Sequence, residues 1–128
     1  MKIAVVIARI LLGLVFVVFG LNVYIMFMPA PPPQGDVGTL STLMFAHHWF
    51  HFYALLYLIA GVLLLIGRYV PVALVLLGPI LVNILLFHIT LAPSGIGPGL
   101  FCALLEVFLI YAYWPAFRGI FTSKMAVG

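Results

Sequence analysis

Charged side chains are almost missing from the long apolar runs of this chain, and only Arg9 and Glu106 lie well inside them. Charged residues are 5% of the 128 positions, hydrophobic ones are 67%, and the mean hydropathy is +1.40. A water-soluble domain of this length cannot hide so much apolar surface, so lipid must be its main solvent. An ionised side chain costs several kcal/mol in hydrocarbon, so such groups face the interior and have a partner or a task. Arg9 and Glu106 are therefore the first places to look for function.

The first apolar run covers residues 3–28, enough to cross a bilayer that needs about 20. Lys2 ahead of it also suits a secretory signal. Such a signal has an apolar core of about 7–15 residues, and no small-x-small cleavage site follows Met28, so a retained first helix is expected. The run stops at Met28-Pro29-Ala30-Pro31-Pro32-Pro33-Gln34-Gly35, because proline lacks the amide donor and clashes with the preceding turn. Residues 29–40 are expected to form a stiff extramembrane loop. A second helix is expected over 41–66, capped by Thr39 or Ser41, and Gly67-Arg68-Tyr69-Val70-Pro71 makes a short turn. The third spans 71–91, with Pro71 in its first turn and Pro79 kinking its interior. Pro93 to Pro98 is a further turn, and the fourth helix covers about 99–117.

Lys2, Arg68, Arg118 and Lys124 fall on one side of this arrangement, whereas the other two connections carry only Asp36. The positive-inside rule then places both termini and the Arg68 turn in the cytoplasm. Short later turns favour antiparallel neighbours. The expected fold is a single all-α membrane domain, 1–128, folded as a four-helix antiparallel transmembrane bundle with both termini cytoplasmic. Tyr24, Trp49, Tyr69 and Trp114 lie near the expected boundaries, where amphipathic rings prefer to sit. No convincing internal repeat is present.

Several function classes drop out. The chain has no basic run or stripe, so it offers no nucleic-acid surface. A single cysteine, Cys102, excludes both an intramolecular disulfide and a paired-cysteine thiol relay, and its apolar neighbours suit a packing thiol.

The remaining polar residues gather in the outer half of the expected bundle. At 1.5 Å per residue, Asn83 and Glu106 both lie roughly 12–14 Å below the outer face, so a bond between them is reasonable. His88 is nearer the outer end of its helix, His47, His48 and His51 lie at the outer entrance of the second, and Asn22 is in the outer third of the first. Helical phase puts Glu106 on a stripe with Gly99, Cys102, Ala103, Ile110 and Tyr113, and Arg9 on one with Gly13, Phe16 and Gly20. Asn83 and His88 differ by about 140° around their helix, so they cannot both point to the bundle centre.

Arg9 has two readings. It snorkels to the cytoplasmic headgroups, or it reaches up by about 8 Å to pair with Glu106. Glu106 has two readings: a structural group, neutral and bonded to Asn83 or a backbone carbonyl, since an unpaired buried charge is costly, or a group with a ligand or proton role. His47 and His51, four apart, have metal-ligand spacing, but the hydrolytic zinc motif needs Glu where His48 stands. His51 and His88, on different helices at similar depth, are the pair that bis-imidazole haem ligation would use. Hydrogen bonding or ligand contact is the plainer role for these rings.

The order of these segments resembles the DoxX and DoxX-like family of small bacterial membrane proteins. Ala8-Arg9-Ile10-Leu11-Leu12-Gly13-Leu14-Val15-Phe16, followed by Phe19-Gly20, looks like the family's first helix. Gly61-Val62-Leu63-Leu64-Leu65-Ile66-Gly67-Arg68 looks like the end of its second. Val70-Pro71-Val72-Ala73-Leu74, Pro79, Asn83 and Phe87-His88 look like one branch's third helix, and Leu105-Glu106 like part of the fourth. That branch often carries a carboxylate in helix two, where this chain has Tyr57 ahead of Ala60-Gly61. The resemblance implies a multi-pass protein of the bacterial inner membrane. The family's founding context is a subunit of a thiosulfate:quinone oxidoreductase, which implies a membrane redox complex as partner. Fold analogy alone does not transfer that activity. This chain has no dinucleotide-binding glycine loop, so any electron transfer would fall to a partner or bound cofactor.

The leading expectation is a non-catalytic membrane subunit that binds a small amphipathic ligand, such as a quinone, in a polar crevice. The candidate ligand-binding residues are Asn22, His51, Tyr57, Asn83, His88 and Glu106, with Arg9 a structural polar group. One alternative is a structural or assembly subunit without ligand, in which glycines and polar residues fix helix packing. Another is a haem- or metal-dependent membrane oxidoreductase using His51 and His88, with His47 as a further metal candidate. The lipid bilayer is the expected surrounding, and self-association is compatible with the pattern.

Overall fold

The computed structural model describes residues 1–28 and 32–127. Six α-helices follow one another: α1 Lys2–Ile25, α2 Gly35–Ala46, α3 Trp49–Ile66, α4 Val70–Thr90, α5 Ile96–Ala112 and the short α6 Trp114–Phe117. Single 3-10 turns at Pro93–Gly95 and Arg118–Phe121 complete the described residues, among which there is no strand. Four segments are long and apolar enough to cross a membrane: α1, α3, α4, and α5 with its preceding 3-10 turn, Pro93–Ala112.

These four pack in a closed ring, α1 on α3, α3 on α4, α4 on α5 and α5 on α1, with α1 and α3 the most extensive pair. Glycine explains that closeness. A Cβ on Gly13 would lie 2.9 Å from the Gly61 carbonyl oxygen, and one on Gly61 would lie 2.9 Å from the Gly13 oxygen. Backbones that touch in this way gain dispersion contacts, the main attraction between helices whose surroundings are as apolar as themselves. Leu12, Leu64, Leu74, Leu77 and Leu109 fill the core, while Val82, Leu104 and Val107 lie on the outside. An apolar exterior of this kind suits lipid rather than water.

The helix ends explain where the chain turns. Met26 closes α1 in the left-handed region at φ 54°, its N–H donating to the Asn22 carbonyl. The Asn22 side chain then takes the Met28 N–H at 2.8 Å, which ends α1 at Ile25, short of the expected residue 28. Gly67 closes α3 at φ 73°, and Leu63 O accepts from both Gly67 N–H and Arg68 N–H, at 3.0 and 3.2 Å. The α4 helix runs unbroken through Pro79, which faces outward.

Several expectations need correction. The expected second helix is divided, and part of the expected loop is helical. Residues 35–46 form α2, because the apolar stretch from Val37 to Phe45 resists an open loop and Asp36 complements the positive helix start. The break falls at His47 and His48, with His48 at φ 63°. Thr39 does not cap a helix; its hydroxyl donates to the Gly35 carbonyl at 3.2 Å, and Ser41 is inside α2. Residues 29–31 of the proline segment lie outside the described residues. The fourth helix begins at Ile96 and ends at Ala112, ahead of the expected 117, because Pro115 cannot donate to the Tyr111 carbonyl.

Candidate functional site

Three of the expected polar residues, Tyr57, Asn83 and His88, meet in one groove of about 460 Å³ between α2, α3 and α4. Its size falls in the range of small-molecule sites, as does its mixture of apolar wall and few polar groups. Phe50, Tyr53 and Tyr57 come from α3, spaced three and four residues apart and so on one helical face. Ile80, Asn83, Ile84, Phe87 and His88 line it from α4. Leu40, Ser41 and Met44 of α2 complete the third wall.

Local packing sets each polar side chain. The Tyr57 ring stands edge-on to Phe16 of α1, centroids 4.9 Å apart and planes at 83°, which fixes its direction from behind the groove. His88 has Nδ1 2.7 Å from the Ile84 carbonyl oxygen. In the neutral ring that contact places the proton on Nδ1, leaving Nε2 as an acceptor. The ring packs edge-on to Phe87 at 5.2 Å and lies beside Gly95, where a Cβ would come within 3.5 Å of Nε2. Asn83 is exposed on α4, seven residues before the helix end at Thr90, or about 10 Å along the axis. No described residue hydrogen-bonds the Asn83 amide or the Tyr57 hydroxyl. The amide is exposed and open to the groove, so it is available to a polar atom of a ligand.

The other candidate residues lie elsewhere. Asn22 is engaged in ending α1, as described. His51 packs against Tyr24, Phe45 and His48, at centroid distances of 5.5, 6.2 and 5.2 Å. Its backbone carbonyl accepts the Tyr24 hydroxyl at 2.6 Å, and its Nδ1 is buried without a partner among the described residues. His47 and His51 do not share a helical face, because the helix breaks between them. His47 and His48 instead line a second, shallower hollow of about 360 Å³ with Trp49, Phe52 and Tyr53. His51 lines neither of these two hollows, whereas His88 lines the larger. Among the described residues no three His, Cys, Asp or Glu side chains gather in metal-binding geometry.

Arg9 and Glu106 are apart. The Arg9 guanidinium lies against Gly67 at the end of α3, where a Cβ would stand 2.9 Å from its Cζ. The charge therefore sits by the α3–α4 turn, at a negative helix end, and its Nε is buried without a partner among the described residues. Glu106 is only 4% exposed, and neither of its oxygens has a partner among the described residues. It faces Gly78, where a Cβ would be in ordinary contact with Oε2, at 3.6 Å. The expected bond to Asn83 does not form, since Asn83 points away from the interior.

Sequence reasoning missed Ser41, Met44, Phe50 and Tyr53. The spacing of Phe50, Tyr53 and Tyr57 was a readable signal; the α2 wall had none, because residues 35–40 read as loop. No protein-family model, no curated protein and no solved structure matches this chain.

Proposed function

We propose that this chain is a DoxX-like, non-catalytic subunit of the bacterial inner membrane that binds a small amphipathic ligand, a quinone being the best fit, in the α2–α3–α4 groove. The observation that carries this reading is the unpartnered Asn83 amide, set in an apolar, aromatic wall beside Tyr57 and His88. A quinone ring would stack on the tyrosines, and its carbonyl oxygens would accept from Asn83 and the Tyr57 hydroxyl. An isoprenoid tail would leave along the apolar exterior. His88 Nε2, as an acceptor, favours a reduced ring hydroxyl over a carbonyl.

The same reading sets the chain as an antiparallel bundle with both termini in the cytoplasm. The three-residue connection between α3 and α4 leaves room only for a reversal, and Lys2, Arg68, Arg118 and Lys124 then share one side. The groove, with α2, falls in the outer half. Partnership with a membrane redox complex is what the resemblance implies.

Titration of a short-chain quinone into detergent-purified protein, followed by tryptophan quenching, tests the ligand. Saturable quenching is expected, and Asn83→Leu should weaken it about tenfold, the effect of one lost hydrogen bond of about 1.4 kcal/mol. The variant removes a polar group from an exposed position and should leave stability unchanged. Quenching that rises linearly without saturation, equal in both proteins, would leave the structural-subunit reading in place. That reading rests on the Gly13–Gly61 contact and needs no ligand.

A further inference from the structure

Glu106 is the chain's sole glutamate, and the ligand groove does not use it. It lies ten residues from the start of α5, about 15 Å along the helix, inside a span with no other acidic residue. Burial is nearly complete, and both carboxyl oxygens are shielded and unpartnered. The groups that neighbouring elements bring do not reach it. From α1 the Arg9 guanidinium is taken up at Gly67, and Tyr24 is exposed at the far end. From α4 the nearest face is Gly78, and His88 stands ten residues further on, with its Nδ1 bonded to Ile84. On α5 itself Cys102 is one turn away and Tyr113 two. Arg118 lies beyond the end of α6 and is exposed.

A carboxylate in this position would be a buried charge without a partner among the described residues, which costs several kcal/mol. A structural polar group, by contrast, would have its hydrogen bonds made, and Glu106 has none. We propose that Glu106 is a proton-binding site within the membrane, holding an exchangeable proton against the Gly78 face of α4. The bound species is the proton, carried as a neutral carboxylic acid. A Cβ on Gly78 would stand in ordinary contact with Oε2, at 3.6 Å, and Gly78 is half-buried with Pro79 exposed beside it, which sets the acid next to a part of α4 that reaches the bundle's exterior.

The test is infrared spectroscopy of the full chain in lipid vesicles, prepared with carbon-13 glutamate. Only Glu106 carries that label, so the band is assigned without any substitution. At pH 7 the labelled band should be that of a protonated carboxyl, and transfer to heavy water should shift it within minutes. An ionised-carboxylate band would overturn the proposal. A protonated band that does not shift in heavy water would also overturn it, since a sealed acid is packing and not a site. Glu106→Gln should abolish the band and leave quinone quenching unchanged, which separates this proposal from the groove reading.

Discussion

At the residue scale, Arg9 and Gly67 show how one side chain depends on another's absence. Gly67 has φ 73°, a region that costs an ordinary residue roughly 1–2 kcal/mol, and the Arg9 guanidinium occupies the space of its missing Cβ. Gly67→Ala should therefore lower stability by about 2 kcal/mol in a thermal melt in detergent. Adding Arg9→Ala should recover part of that loss, because the collision is relieved and the backbone strain is not. Equal loss in the single and double variants would show that Arg9 does not lie there. The faces of such residues were legible from the helical period: Gly13, Phe16 and Gly20 are buried along α1, as are Gly99, Cys102 and Glu106 along α5. Their partners were not. Residue counting puts Asn83 and Glu106 at a similar depth, but depth says nothing of rotation, and α4 turns Asn83 outward. A bond between two helices depends on how both are rotated, which no single segment encodes.

At the element scale, the break between α2 and α3 decides where the groove's third wall stands. The α2 helix has no buried residue, and its main packing is on α3, helped by the Phe45 and Phe50 rings at 4.6 Å. His48 holds the corner in the left-handed region, which glycine enters freely and a β-branched residue resists. His48→Val should cost about 1–2 kcal/mol in the melt and weaken ligand binding as α2 loses its position. His48→Gly should be close to neutral in both. If valine were as well tolerated as glycine, the corner would not be held by that backbone state. The long apolar runs announced α1, α3, α4 and α5 through length and hydropathy alone. The corner had no such announcement, since His-His is no helix breaker and the apolar pattern runs straight through it. Proline acts unevenly: Pro79 sits inside a continuous α4, as its place in the third run implies, while Pro115 ends α5 ahead of the expected residue 117.

At the scale of the whole molecule, four apolar spans ring a leucine core, and a fifth helix leans on the outside to make a groove. That asymmetry is what supports the proposed binding role: an exposed amide, two tyrosines and a histidine are collected beneath an added helix, beyond what the Gly13–Gly61 contact and the leucines require for packing. The central claim is that an amphipathic ring occupies this groove, and photolabelling with an azido-quinone, mapped by peptide mass spectrometry, tests it most directly. The expected labels concentrate on the α3 and α4 peptides carrying Tyr53, Tyr57, Asn83 and Phe87, and excess unlabelled quinone removes them. Labels spread over outward-facing residues such as Val82, Leu104 and Val107, undiminished by competitor, would contradict it.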